Sequence, residues 1–228
     1  MTFNSDSRIY GMTSVKLVLL LCIAGLLFSY EIHAESQRIQ AAPGNNWHKA
    51  SVRGQAVVWT REVPGTSIKE LKLEAIIDAP IEQVWRTLTQ VEHYTKFLPY
   101  MDEIKVVKQE GTDRAYVYHR VNPPLVSQRD YTLLVVNEVD TQKGRYYRYW
   151  TQKNQFGPKP LKGTVRLVVC DGSWSLSARE DGRTQATYWL YTDPAGSIPA
   201  WLANTFNTSG LYDILWAIEA RAQDLSWQ

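Results

Sequence analysis

The feature that most constrains this chain is its C-terminal stretch, residues 193–224, which is typical of one long helix placed after a series of strands. Its apolar residues recur at spacings of three and four, which puts their side chains on one face of a helix. Ser197 offers an N-cap, and Pro199 suits a first helical turn. The apolar face comprises Leu211, Ile214, Leu215, Ile218, Ala222 and Leu225. A long helix that follows strands must bury such a face on their sheet.

The rest of the chain predicts nine strands and two short helices. Alternating apolar and polar residues between Gly, Pro, Asn and Asp turns indicate strands at 55–62, 68–77, 102–109, 114–121, 129–139, 145–153, 161–171, 173–180 and 183–192. Asp78-Ala79-Pro80 opens one helix, and residues 94–100 form a second helical turn. Short links make neighbouring strands antiparallel, and a long antiparallel sheet twists and curls. We therefore predict an α+β fold in which the C-terminal helix crosses a curved antiparallel sheet and closes an internal space.

The N-terminal segment predicts export. Arg8 and Lys16 precede an apolar run at 17–28, and the small residue Ala34 ends the segment, which is typical of a secretory signal peptide. The run is shorter than the roughly 20 residues that a membrane-spanning helix requires. We expect cleavage after Ala34 and a periplasmic protein, with a retained N-terminal membrane anchor as the alternative. Residues 1–34 are then the signal peptide, 35–46 a polar leader and 47–228 the folded domain.

Composition favours one ordinary globular domain. The chain of 228 residues carries a formal net charge of +2 and 44% hydrophobic residues, so no nucleic-acid partner is predicted. Removal of residues 1–34 leaves Cys170 as a lone cysteine, which cannot form an internal disulfide. We expect Cys170 to be a small buried hydrophobe in a strand instead of a reactive thiol. We also expect a monomer.

Four phrases, taken in order, resemble one known family. They are AIIDAPIEQVWRTL at 75–88, VSQRDY at 126–131, the strand at 161–168 after a Phe-Gly-Pro loop, and GSIPAWLAN at 196–204. Together they resemble START domains, the lipid-transfer family related to the steroidogenic acute regulatory protein. The resemblance implies a helix-grip fold whose tunnel holds one lipid or other apolar molecule. It also implies a gate made by the C-terminal helix and a neighbouring loop, which we place near residues 156–161.

Strand alternation, combined with that resemblance, selects the residues expected to face the tunnel. They are Tyr118, Arg120, Arg129, Tyr131, Leu133, Tyr147, Tyr149, Tyr188, Leu190, Trp201 and Phe206. Sterol-carrying members of the family place an acid and a base opposite each other in the tunnel. The corresponding positions here are Arg120 and Val135, so that pair is absent, which argues against sterol specificity and favours a ligand with an anionic or strongly hydrogen-bond-accepting head group.

Two arginines carry alternative interpretations. A guanidinium in an apolar tunnel needs a partner, and Arg120 could take a ligand carboxylate or phosphate, or else pair with a protein carboxylate or lie in water at the mouth. Arg129 and Asp130 are neighbours on one strand and point to opposite sides. One of the two is therefore expected to be structural, and a fold-holding ion pair is the preferred interpretation of Arg129. Gly210 interrupts the long helix, which we interpret as close packing.

Enzyme signatures are sparse, so we predict a carrier with no catalytic residue, no cofactor and no metal. His48, His93 and His119 lack metal-ligand spacing, and no nucleophile elbow or phosphate loop is present. The expected partner is a lipid or other hydrophobic small molecule, with transient membrane contact. One alternative is a cyclase-like or aromatase-like enzyme that uses Arg129, Tyr131 and His119. Another is a domain with a filled core that acts through its surface.

Overall fold

The computed structural model describes residues 46–196 and 198–224, without the side chains of Trp201 and Phe206. The predicted signal peptide, its cleavage site and the leader up to residue 45 lie outside these residues, as does Leu225. The division of the chain at residues 34 and 46 stays a prediction. None of the described helices is long and apolar enough to cross a membrane.

The described residues form ten strands and three α-helices. The strands are β1 (His48–Arg53), β2 (Ala56–Arg61), β3 (Glu70–Ile77), β4 (Met101–Glu110), β5 (Arg114–Val121), β6 (Arg129–Asp140), β7 (Arg145–Gln152), β8 (Val165–Arg166), β9 (Val169–Ala178) and β10 (Thr184–Asp193). The helices are α1 (Ile81–Thr89), α2 (Tyr94–Phe97) and α3 (Ala200–Gln223). Short 3-10 turns lie at Val91–His93 and Asn154–Phe156.

All ten strands belong to one sheet, in the order β1-β2-β3-β10-β9-β7-β6-β5-β4, with β8 beside β6. Every pairing in that order is antiparallel, and only the short β8 runs parallel to its neighbour β6. The sheet is curved, and helix α3 lies against it. The predicted α+β helix-grip fold is therefore confirmed.

Helix α3 is held over the sheet by its apolar face and by hydrogen bonds at both ends. Leu211, Leu215, Ile218 and Ala222 are buried, as the helical spacing predicted. Near its start, the side-chain oxygen of Asn204 accepts a hydrogen bond from the backbone N–H of Lys69 at 3.2 Å, and its amide nitrogen donates to the carbonyl of Ser67 at 3.1 Å.

Near the end of α3, Glu219 accepts a hydrogen bond from the backbone N–H of Asp78 at 2.8 Å. Gln223 donates to the carbonyl of the same residue at 2.8 Å. The two ends of α3 are thus fixed to the two ends of β3. The helix begins at Ala200 with Pro199 as its N-cap, so the prediction that Pro199 lies in the first turn was wrong. The predicted cap residue Ser197 lies outside the described residues.

Three strand predictions differ from the structure. The polar edge strand β1 was not predicted, because most of its side chains are exposed and alternation gives little signal there. The predicted strand at 161–171 is a turn followed by the two-residue β8 and the start of β9. The predicted turn at Asp171-Gly172 is absent, since β9 runs straight through it. A Cβ at Gly172 would lie 2.4 Å from the Trp150 ring, so this glycine marks a close approach of a side chain to the strand.

Candidate functional site

A cavity of about 470 Å³ lies between the concave face of the sheet and α3. Its volume falls within the range of about 300–1,000 Å³ that is usual for pockets holding one small molecule. Residues of α1, β5, β6, β7, β9, β10 and α3 form its wall, together with the loops at 98–101, 121–126 and 194–198. The hypothesis of a completely filled core is therefore wrong.

The central wall is apolar and aromatic. Leu133 and Val135 come from β6, Trp150 from β7, Trp174 from β9 and Tyr188 from β10. The rings of Trp174 and Tyr188 stack with centroids 4.4 Å apart and an interplanar angle of 8°. Such a wall favours the apolar body of a ligand, since burial of apolar surface stabilises a complex by roughly 25 cal/mol per Å².

Five of the residues predicted to face the tunnel do line the cavity. Arg129, Tyr131 and Leu133 project from β6, and Tyr188 and Leu190 project from β10. They lie at alternate positions of their strands, which is why the periodicity found them. Whether any of them contacts a ligand stays a prediction. The side chains of Trp201 and Phe206, the two candidates on α3, lie outside the described set.

Tyr118 and Arg120 do not face the cavity, and their prediction was wrong. The Arg120 guanidinium pairs instead with Asp102 at 2.8 Å and with Glu103 at 2.9 Å. Those contacts confirm the alternative in which a protein carboxylate satisfies Arg120. The Tyr118 hydroxyl donates to Asp130 at 3.2 Å, and burial is the main cause that raises the pKa of Tyr118 to about 12.

The error comes from the register between β5 and β6. Val121 pairs with Arg129, and His119 pairs with Tyr131. Directly opposite residues of an antiparallel pair point to the same side of the sheet, so the odd-numbered residues of both strands face the cavity. The position opposite Tyr131 is therefore His119, and the alignment that placed Arg120 in the tunnel was shifted by one residue.

Tyr147 and Tyr149 also lie outside the cavity wall, because β7 turns the opposite set of side chains inward. Its inward residues are Tyr146, Arg148 and Trp150, of which the last two line the cavity. Both faces of this strand carry large aromatic residues, so alternation alone did not show which face is buried. Arg148 was missed for this reason. Its position two residues before Trp150 places both side chains on the same face, and this was the one signal in the sequence.

Arg129 and Asp130 point to opposite sides of β6, as predicted, but the structural ion pair belongs to Asp130. The carboxylate of Asp130 is fully buried and accepts two hydrogen bonds from Arg166, at 2.6 and 2.8 Å. Arg129 instead donates to the backbone carbonyls of Ser127 and, at 3.4 Å, Pro194. The preferred interpretation of Arg129 as half of an ion pair was therefore wrong within the described residues.

His119 and Tyr131 form a stacked pair in the cavity wall. Their ring centroids are 5.0 Å apart with an interplanar angle of 12°. His119 Nδ1 lies 3.2 Å from the carbonyl oxygen of Val117, so in the neutral ring this nitrogen carries the proton and donates it. Burial lowers the pKa of His119 to about 4, and the positive charge of Arg148 contributes in the same direction. The imidazole is therefore neutral at physiological pH.

Cys170 lies in the wall beside this pair. It is buried, and burial raises the pKa of its thiol to about 12, although a hydrogen bond with Thr192 acts in the opposite direction. A thiol with such a pKa is almost entirely protonated at neutral pH and is a poor nucleophile. The interpretation of Cys170 as a buried small side chain is confirmed.

The loop after β5 and the segment before α3 both border the cavity. Pro123, Pro124 and Val126 of the loop line it, as do Pro194 and Ile198 of the segment. The predicted gate loop at 156–161 does not line the cavity. Its Phe156 ring packs on Tyr116, on the other face of the sheet, with centroids 4.3 Å apart. The structure therefore gives no support to a gate at 156–161, and the 122–128 loop borders the cavity instead.

A metal centre finds no support in the described part of the chain. It contains no group of three or more His, Cys, Asp or Glu side chains placed to hold a metal ion. The titratable groups of the cavity wall are instead arginine, histidine, tyrosine, cysteine and a single acid, Asp213, among the described residues. Such a set suits binding of a polar head group through hydrogen bonds and positive charge.

Residues 77–219 match the protein family described as polyketide cyclase/dehydrase and lipid transport. An uncharacterized protein of Pseudomonas aeruginosa is 29% identical over 183 residues, which are 80% of this chain and 89% of that protein.

Solved structures with the same fold come from bacteria and human. A STAR-related lipid transfer protein fragment from Xanthomonas axonopodis has a TM-score of 0.71 at 23% identity and covers 79% of this chain and 100% of its own. Human StAR-related lipid transfer protein 5 has a TM-score of 0.72 at 14% identity, covering 93% and 98% of the two chains. Human STARD10 has a TM-score of 0.69 at 20% identity, covering 81% and 77%. The predicted resemblance to START domains in fold is confirmed.

Proposed function

Because this chain belongs to the polyketide cyclase/dehydrase and lipid transport family, we propose that it binds and carries one lipid-like molecule in the cavity under α3. The observation that carries this proposal is the cavity of about 470 Å³ with a wall of Leu133, Val135, Trp150 and Trp174. An apolar ligand gains by leaving water for such a wall. The relatives described as lipid transfer proteins share the fold and support the same class of ligand.

We place the route of uptake and release between the 122–128 loop and the start of α3, because residues of both segments line the cavity. The tip of this loop carries Leu125, which is 95% exposed, next to Pro124. Tyr100, 51% exposed, is adjacent, since its carbonyl accepts a hydrogen bond from the backbone N–H of Asn122 at 2.8 Å. Apolar groups that protrude beside a lipid-binding cavity favour transient contact with a membrane surface during exchange.

The location we propose is the periplasm. This proposal rests on the pattern of residues 1–34, with cleavage after Ala34, and the retained N-terminal anchor is its alternative. After cleavage at Ala34 the carrier could form no internal disulfide, because Cys170 is the one cysteine of residues 35–228.

The test is mass spectrometry of the organic extract from the protein purified gently from its native compartment. We expect one lipid or lipid class to be enriched over an extract of an unrelated protein carried through the same steps. The intact mass of the same sample reports whether residues 1–34 have been removed. An empty extract, together with no uptake of a neutral fluorescent lipid by the purified protein, would contradict the carrier proposal.

A cyclase-like enzyme is the second candidate, because Arg129, Tyr131 and His119 all line the one cavity. The pKa of His119, about 4, weakens this candidate, since a general base works best with a pKa near the working pH. Incubation of the extracted molecules with the protein separates the two functions. Conversion to a product of different mass, lost in a His119→Ala variant, would favour the enzyme, whereas unchanged molecules support the carrier.

A further inference from the structure

Arg148 is a buried cation without a carboxylate partner in the described part of the chain. Its side chain lies in the cavity wall and the residue is 6% exposed. Its guanidinium donates one hydrogen bond, from Nη1 to the side-chain oxygen of Asn137 at 2.7 Å. Burial lowers the pKa of Arg148, but a guanidinium is not deprotonated in proteins, so the side chain carries its positive charge. A charge in this position is costly unless something compensates it.

Other arginines in the described residues show how this protein normally satisfies a guanidinium. Arg166 binds the buried carboxylate of Asp130 with two hydrogen bonds. Arg61 forms an ion pair with Glu70. Among the described residues no acid is paired with Arg148, so the compensation of its charge is left to whatever occupies the cavity.

Arg129 also lines the cavity, but its guanidinium already donates to two backbone carbonyls. Arg148 pairs across the sheet with Asn137, eight residues along β6 from Arg129. At roughly 3.3 Å per residue, their backbones are about 26 Å apart along the strand. The hydrogen bonds from Arg129 to the carbonyls of Ser127 and Pro194 join the 122–128 loop to the segment before α3. Arg129 is therefore a structural residue beside the proposed route of entry, and the backbone of Arg148 lies far from it along the strands, at what we take as the inner end of the cavity.

No acidic side chain among the described residues forms an ion pair with Arg148, and its other neighbours carry no negative charge. The Tyr94 hydroxyl is engaged with the carbonyl of Leu88 at 2.5 Å, and His119 is neutral. Asp213 on α3 is the one acid in the described cavity wall, and no ion pair joins it to Arg148. An incoming carboxylate or phosphate would thus meet the guanidinium without competition from a protein carboxylate.

We infer that the inner end of the cavity is a binding site for an anionic head group, a carboxylate or phosphate, held by the guanidinium of Arg148. This inference rests on the proposed binding of a lipid-like molecule. It adds the chemical class of that molecule and the direction in which the molecule enters the cavity. The ligand is an acidic amphiphile that enters head first, with its apolar chain extending along Trp150, Trp174 and Leu133 toward the proposed route of entry. Bidentate, charge-assisted hydrogen bonds favour the acid over a neutral molecule of the same length.

The experiment compares a long-chain fatty acid with the primary alcohol of the same chain length, by displacement of neutral Nile red from the purified protein. It is run at about pH 8, where a carboxylic acid is ionised. We expect the wild-type protein to bind the acid more tightly by about tenfold or more, the range of a charged hydrogen bond. In Arg148→Met this preference should disappear while the alcohol still binds.

A second comparison distinguishes the two head groups. The affinity of the wild-type protein for the alkyl phosphate of the same chain length is measured in the same way, and the head group that binds more tightly, carboxylate or phosphate, is the class that the site prefers.

Arg120→Met is the matched control, because it removes an arginine of β5, in the same sheet, whose guanidinium lies outside the cavity. It should keep the wild-type preference for the acid. Arg148→Gln, which retains a donor for Asn137, provides a second variant should Arg148→Met fail to fold. Equal affinity of wild type for acid and alcohol, or a preference that survives in the Arg148 variant, would overturn the inference. Failure of wild type to take up Nile red or either ligand would instead overturn the proposed function itself.

Discussion

His119 is the residue whose protonation is most closely tied to the fold. It is buried in the cavity wall, stacked on Tyr131, and its one described hydrogen bond goes to the carbonyl of Val117. Desolvation by burial is the main cause that lowers its pKa from 6.5 to about 4. The native state therefore holds the neutral imidazole, while the unfolded chain takes up a proton near pH 6.5.

This difference predicts a loss of stability in mild acid. Between the unfolded pKa of 6.5 and the folded pKa of about 4, the unfolded state binds more protons, so the free energy of unfolding falls as the pH falls. A shift of this size corresponds to about 3 kcal/mol at full extent. Urea unfolding across this range should show that loss in the wild-type protein. The His119→Phe variant, which retains an aromatic ring on Tyr131, should lose about 3 kcal/mol less between the same pH values. Parallel curves for the two proteins would contradict the prediction.

At the scale of the element, two glycines in the cavity wall region have opposite surroundings. Gly172 lies inside β9, where a Cβ would come within 2.4 Å of the Trp150 ring and 2.8 Å of the backbone oxygen of Trp189. Gly210 lies inside α3 and lines the cavity, and a Cβ there would meet no atom within 4 Å beyond the helix itself. The interpretation of Gly210 as a sign of close packing was therefore wrong.

The two glycines predict opposite responses to alanine. Gly210→Ala should raise the free energy of unfolding by up to about 1 kcal/mol, because alanine is the better helix former and its methyl group enters open space. Gly172→Ala should lower it by about 1–3 kcal/mol, since Trp150 must move away from β9 into the cavity. Urea denaturation measures both. A shift in the same direction for the two variants would refute this account, and Gly172→Ala should also weaken Nile red uptake.

At the scale of the whole molecule, the two parts of α3 differ in how much of their packing is on the core. From Leu211 onward the helix packs on the core through Leu211, Tyr212 and Leu215, all at most 3% exposed, and it borders the cavity as well, through Asp213, Ile214 and Ile218. Before Gly210 the same helix borders the cavity with Ala203 and Asn207, and among the described side chains of this part only Ala203 is buried. The first part therefore depends more on the contents of the cavity for its packing than the second part does.

Ligand binding should consequently change hydrogen exchange unequally along α3. We expect amides of residues 202–210 to exchange faster than those of 211–222 in the empty protein, and to slow when a fatty acid is added. Saturation at about 100 times the dissociation constant should add about 2.7 kcal/mol to the free energy of unfolding. The measurement is amide exchange by mass spectrometry with and without ligand. Equal exchange rates along α3, with and without ligand, would contradict this difference between its two parts.

The sequence by itself determined the elements and the inward face of several of them. Periodicity predicted α3 and its apolar face, and it predicted the inward side of β6, with Arg129, Tyr131 and Leu133. It also indicated the burial of Cys170. These features are local: the spacing of apolar side chains along one helix or strand is written in consecutive residues and needs no knowledge of the neighbours.

Only the tertiary structure decided which polar and charged side chains of β5 and β7 face the cavity. Strands β5 and β7 carry polar and aromatic residues on both faces, so the burial of His119 and Arg148, and the exclusion of Arg120, depend on the register against β6. A shift of one residue in register exchanges the two faces of a strand. Register is fixed by hydrogen bonds and packing between distant segments, and these contacts leave no periodic trace within the strand itself.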